Sequence, residues 1–187
     1  MNPYYVMVVD ILPNSKLDIA KYLDRHNINV HPDLHKENRF KSKCVHDEFC
    51  GVLNELVMIK DFGRDDEISI AHKMDYKPEK MFVFENSHVS NLAYCRISNK
   101  KLFKHYMKEL KNRRRHWNYH AIVIKKPGMA KTKREQKLYN EIDPILQQCQ
   151  ISCKILDKWQ NLTQLRKDIL KEIQNVQAKS NRENDGE

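Results

Sequence analysis

Trp117 to Val176 decides how the chain folds, and it opens on Tyr119-His120-Ala121-Ile122-Val123-Ile124. That short apolar run is rich in β-branched residues and is stopped by Pro127-Gly128, the signature of a buried strand. After the basic loop Lys125 to Lys137, a helical segment carries Leu138, Ile142, Ile145 and Leu146, and Pro144 marks a break or a restarted first turn. Ile151-Ser152-Cys153-Lys154-Ile155-Leu156 is a second strand. A closing helix follows from about Asn161, with Leu162, Leu165, Ile169, Ile173 and Val176 at helical intervals. Two strands joined through a helix make a crossover unit, so the spacing predicts parallel strands in an α/β sheet. The last stripe is narrow, nearly a heptad seam. It reads first as a core-facing helix and alternatively, through Leu162, Leu165, Ile169 and Ile173, as a partner interface.

Working outward, Tyr4 to Leu12 is a buried-type strand ending near Pro13. Ser15 is placed to cap a helix from Lys16 to about His26, with Leu17, Ala20 and Leu23 on its inner face, and Ile28-Asn29-Val30 begins another strand. Arg39 to Phe49, Glu55 to Phe62, Glu67 to His72 and Lys80 to Glu85 are further strand candidates, with Gly51 and Gly63 as turns. Lys100 to Arg115 is an amphipathic helix capped by Ser98 or Asn99, its apolar face Leu102, Phe103, Tyr106, Met107 and Leu110. The expected organisation is one domain over residues 1–177 and a disordered polar tail over 178–187.

Composition narrows the classes. Forty per cent hydrophobic residues and 32% charged describe a polar, water-soluble chain, and no apolar run approaches the ~20 residues needed to span a bilayer. Met1-Asn2-Pro3-Tyr4 lacks a basic end and an apolar core, so no signal peptide is expected. Five cysteines then read as reduced thiols of an intracellular protein. With four glycines and no Walker or dinucleotide fingerprint, no nucleotide cofactor is expected.

The basicity is local. Between Arg96 and Lys137 stand fifteen Lys or Arg and two acids, Glu109 and Glu135, a balance of +13 in a chain whose total is +9. Everything outside that window therefore sums to −4, so the positive charge forms one footprint. The residues expected to hold nucleic-acid phosphates are Lys101, Lys104, Lys108, Lys111, Arg113, Arg114 and Arg115 on the helix, and Lys125, Lys126, Lys131, Lys133 and Arg134 on the loop. Trp117 and Tyr119 read as core residues, with base stacking as the alternative. The same lysines and arginines would serve RNA, a nuclear-import signal in Arg113-Arg114-Arg115 or Lys131-Thr132-Lys133-Arg134, or an acidic protein partner.

Two sets of residues bear on metal chemistry. His31, His35, Cys44, His46 and Cys50 lie within twenty residues but lack a paired-cysteine anchor, so surface histidines and buried thiols are preferred to a zinc site. Pro32-Asp33 with Glu109-x-Lys111 formally matches a Mg²⁺ nuclease pattern, yet the second half falls on a helix where a catalytic pair belongs on a strand. Asp61, Asp65, Asp66 and Glu67 read as a solvated turn. Cys149-x3-Cys153 reads as core packing.

One order of motifs points to a family: Val6-Met7-Val8-Val9-Asp10, a helix from Asp18 to Asp24, a strand near Val30, meander strands, a helix from Leu102 to Leu110 and a strand from Ala121 to Ile124. Ile142-Asp143-Pro144-Ile145-Leu146-Gln147 and the closing run Cys153-Lys154-Ile155-Leu156-Asp157-Lys158-Trp159-Gln160-Asn161-Leu162 complete it. This arrangement resembles the nuclease-type domain of the XPF-family structure-specific endonucleases, and is most similar to the non-catalytic subunit that pairs with the Mus-type crossover-junction nuclease. The resemblance implies a restriction-endonuclease-like α/β fold with a central mixed sheet flanked by helices. It also implies a nuclear role in DNA repair or recombination beside a catalytic nuclease subunit, on branched or forked DNA. The family's active members carry Gly-Asp, Glu-Arg-Lys and Asp signatures. This chain has no Glu-Arg-Lys tripeptide, so no catalytic residue carries over and a pseudonuclease is expected. The tandem helix-hairpin-helix region of the family is absent as well, leaving either a part of a longer protein or a reduced relative.

Overall fold

The computed structural model describes residues 4–10, 17–31, 81–85, 88–98, 100–115, 117–125, 128 and 130–185, without the side chains of His31, Ser98, Leu102, Glu109, Arg113, Asn184 and Asp185. The chain, read from its sequence as one domain, divides into two units, Met1–Asp33 with Lys80–Glu187, and Leu34–Glu79; every described residue belongs to the first. The strand expectations over Arg39 to Phe49, Glu55 to Phe62 and Glu67 to His72 lie outside the described residues.

The elements are β1 (Tyr4–Val9), α1 (Ile19–Asp24), β2 (Val30–His31), β3 (Met81–Glu85), α2 (His88–Ser98), α3 (Lys100–Arg113), β4 (Asn118–Ile124), α4 (Lys133–Cys149), β5 (Ser152–Leu156) and α5 (Leu162–Asp185). The strands form one sheet in the order β2-β3-β1-β4-β5. Every pairing among them is parallel, where a mixed sheet was expected. The two-residue β2 is an edge piece, so the working sheet is the other four strands. β4 and β5 form the crossover unit expected around α4, in register from His120 opposite Ser152 to Ile124 opposite Leu156.

Alternation along the strands sends successive side chains to opposite faces. Tyr4, Val6 and Val8 of β1 join Val83, Ile122 and Ile124 on one face, and α1 and α5 cover it with Leu17, Ile19, Leu23, Leu165, Ile169, Ile173 and Val176. Tyr5 and Tyr119 lie on the other face, where His88 of α2 packs against both rings. α3 and α4 pack against α2 in that second helical layer. A sheet with both faces covered needs strands apolar on both sides, and Val6 to Val9 and Ala121 to Ile124 are buried throughout.

Several local expectations are corrected. Ser15 lies outside the described residues, and the helix it was to cap begins only at Ile19, after Asp18 in the left-handed region at φ 42. Ser98 ends α2, a helix the sequence did not announce, and Asn99, the other residue expected to cap α3, lies outside the described residues. Pro144 does not interrupt α4, which starts from a complete capping box between Thr132 and Glu135 and runs through to Cys149. The lost proline N–H leaves only the carbonyl of Asn140, a residue on the exposed side, where the cost of the missing donor is low. The segment from Ala178, expected as a disordered tail, continues α5 to Asp185. Ser180 is buried at 3% exposure, and the Tyr4 hydroxyl bonds Glu183 at 3.1 Å, tying the last turns to the first strand.

Candidate nucleic-acid interface

Helix α3 is fixed by its apolar side: Tyr106, Met107 and Leu110 are buried, and the Tyr106 hydroxyl lies 2.7 Å from His88 Nδ1 inside the helical layer. At 100° per residue, Lys101, Lys104, Lys108 and Lys111 fall within about 80° of the helix circumference and along about 15 Å of its axis. All four are exposed. Arg114 and Arg115 continue the row in the turn after α3, and both are exposed. Arg114 Nη1 donates to Gln150 Oε1 at 2.6 Å, which fixes this end of the row beside the C-terminus of α4. Lys100 and Lys137, which the sequence reading did not single out, are exposed too.

The expected loop residues divide. Lys131, Lys133 and Arg134 are exposed around the start of α4. Glu135 Oε2 accepts the backbone N–H of Lys131 at 2.6 Å and of Thr132 at 2.8 Å, so the capping box already satisfies donors there. Lys133 and Arg134 nonetheless sit at the positive end of the helix dipole, where cations are disfavoured by ~0.3–1 kcal/mol each. Lys125 pairs with the half-exposed Asp143, Nζ to Oδ2 2.8 Å, so that carboxylate competes for the ammonium group. Lys126 and the Arg113 side chain lie outside the described residues. The two exposed basic groups, Lys131 to Arg134 and Arg114 with Arg115, stand at opposite ends of the 17-residue α4, about 25 Å apart.

Trp117 and Tyr119 are core residues, the reading the sequence favoured over base stacking. Each is 7% exposed. Trp117 meets Tyr5 and Phe82 edge to face, each at 5.7 Å between ring centres, and Tyr119 packs on Tyr5 at 5.2 Å. The partner interface is corrected: Leu165, Ile169 and Ile173 are buried in the protein's own core, with Leu162 packed at its margin. The helix reads as amphipathic either way, and only the presence of a sheet face beneath it distinguishes the two.

Among the described residues no group of three or more His, Cys, Asp or Glu is placed to hold a metal ion. His35, Cys44, His46, Cys50, Asp33 and the acids from Asp61 to Glu67 lie outside the described residues, as does the His31 side chain. Glu109 and Lys111 are on a helix, as the sequence indicated. Cys149 is a core thiol 3.3 Å from Met107 Sδ, and burial pushes its pKa up to about 11; Cys153, by contrast, is exposed.

One cluster had no local sequence signal. His120 of β4 places Nδ1 2.8 Å from Ser152 Oγ of β5 and Nε2 3.1 Å from Glu172 Oε1 of α5. Ser152 also donates to the Tyr119 carbonyl at 3.1 Å. Burial holds the imidazole pKa below its ordinary value against the opposing pull of Glu172. Three elements far apart in sequence meet there, so spacing along the chain could not reveal it. The cluster joins α5 to the sheet.

No family model matches this chain, and no curated protein matches it. The physical description of the surface is therefore what supports a function. No helix among the described residues is long and apolar enough to cross a membrane.

Proposed function

We propose that the chain is a non-catalytic, DNA-associated partner of a structure-specific endonuclease, or of another nuclear repair or recombination complex, and that it positions nucleic acid through the basic side of α3. The observation that carries this reading is the row Lys101, Lys104, Lys108 and Lys111 along one exposed line of a helix whose opposite side is buried. A rigid row of ammonium groups neutralises consecutive phosphates and releases their counterions. Arg114 and Arg115 extend the row at one end. The motif order shared with the XPF-type nuclease domain supplies the link to a nuclease complex, and the missing Glu-Arg-Lys supplies the non-catalytic role.

The test is direct. With six cations engaged, the logarithm of affinity should fall against that of salt concentration with a slope of about −5, so binding weakens roughly 1,000-fold between ~50 and ~200 mM. Fluorescence anisotropy with a labelled duplex measures this, and incubation with Mg²⁺ on forked DNA should leave the strands intact. Absence of binding at low salt would refute the reading, and strand cleavage would refute its non-catalytic half.

A further inference from the structure

Resting on the reading above, we infer that this surface engages the phosphate backbone of an unbranched duplex arm about 8 bp long and does not read the branch point. Three observations converge. The first is rigidity: the α3 lysines occupy one stripe about 80° wide and about 15 Å long, on a helix clamped by Tyr106, Met107 and Leu110. A row held this way is organised in advance for a stiff partner, whereas a flexible single strand would lose its freedom in conforming to it.

The second is length. Arg114 is held against Gln150 at one end of α4, and Lys133 stands exposed at the other, about 25 Å away. At 3.4 Å per base pair, a duplex arm must run for roughly 7 to 8 bp to reach both.

The third is the state of the aromatic residues beside the arginines. Branch points and single strands offer unstacked bases, which proteins hold by stacking them on aromatic side chains. Trp117 is instead packed edge to face against Tyr5 and Phe82. A base entering there would have to break that packing, so Trp117 is not presented for stacking.

The experiment uses the full chain and labelled duplexes of about 4, 8, 12 and 16 bp, a fork with arms of the same sequence and a matching single strand, all at low salt. Affinity should climb steeply up to ~8 bp and thereafter only with the number of available registers, and the fork should bind within about twofold of the linear duplex. Lys133→Gln, at the exposed far end of α4, should weaken the longer duplexes more than the ~4-bp duplex. A fork bound about tenfold tighter than the linear duplex, a single strand bound as well as the duplex, or equal weakening at all lengths would overturn the inference while leaving nucleic-acid binding in place. Failure of every DNA to bind would remove both.

Discussion

Replacing Ile169 by alanine separates a helix that closes the core from a helix that waits for a partner. Ile169 is 0% exposed and packs among Leu165, Ile173, Val6 and Ile122 in the core beneath α5. The substitution removes three carbons, worth about 2.4 kcal/mol at ~0.8 each, and the residual cavity adds to this, giving about 3–4 kcal/mol. In a chain of this size that corresponds to a fall in Tm of roughly 6–16 °C. Both tryptophans of the sequence, Trp117 and Trp159, lie in the described unit, so intrinsic fluorescence during urea unfolding follows this unit. The control is Ile155→Ala at a position 39% exposed on β5, which should shift stability by less than about 0.5 kcal/mol. If Ile169→Ala unfolds at the same urea concentration as the parent, α5 does not cover the sheet and the assignment of its apolar stripe to the core is wrong.

Other outcomes follow from the same geometry. Lys104→Gln, Lys108→Gln and Lys111→Gln together should reduce the salt slope of DNA binding by about 3 while leaving thermal stability within ~0.5 kcal/mol; an unchanged slope would take the row out of the interface. His120 has a folded pKa below its ordinary 6.5, so its contribution to stability is full above that pH and is lost as pH falls toward the folded value. Urea midpoints between about pH 7.5 and 5 should show an acid-side loss that His120→Gln abolishes and Glu172→Gln deepens. Alkylation followed by peptide mass spectrometry should modify Cys153 well before Cys149, whose burial and raised pKa keep it a thiol; the reverse order would mean that α3 and α4 open readily. Tyr4→Phe should cost about 0.5–1.5 kcal/mol and speed amide exchange in the last turns of α5, which a frayed end would not register.

Much of the second half was legible because its signals are local. The apolar run from Tyr119 to Ile124, the stripe of α4 and the strand before Leu156 each declare their period within a dozen residues, and their order required a parallel crossover. α2 escaped because Ser90 and Asn91 are buried alongside Val89, Leu92 and Ala93. A helix covered on most sides shows no contrast between wet and dry faces for periodicity to report. The length of α5 was hidden for a related reason: its final turns are held by a Tyr4 hydroxyl from the other end of the chain, and polar composition gives no hint of that bond. The helix α3 was legible from its apolar spacing. Charge density could not show that Lys125 pairs with Asp143, a neighbour brought near only by the fold, whereas Trp117 and Tyr119 were legible as core residues and are buried.

The register of β1 also bears on how the polypeptide is made. Tyr4 lies opposite Met81 on one side and Asn118 on the other, so β1 obtains its described neighbours only after many further residues have been translated. At ~5–20 residues per second, Val6 to Val9 wait roughly 4 to 16 s for β3 and about 6 to 24 s for β4. During that interval a segment apolar on both sides lacks both of its described neighbours. Fast overexpression should therefore yield aggregates that slower synthesis avoids.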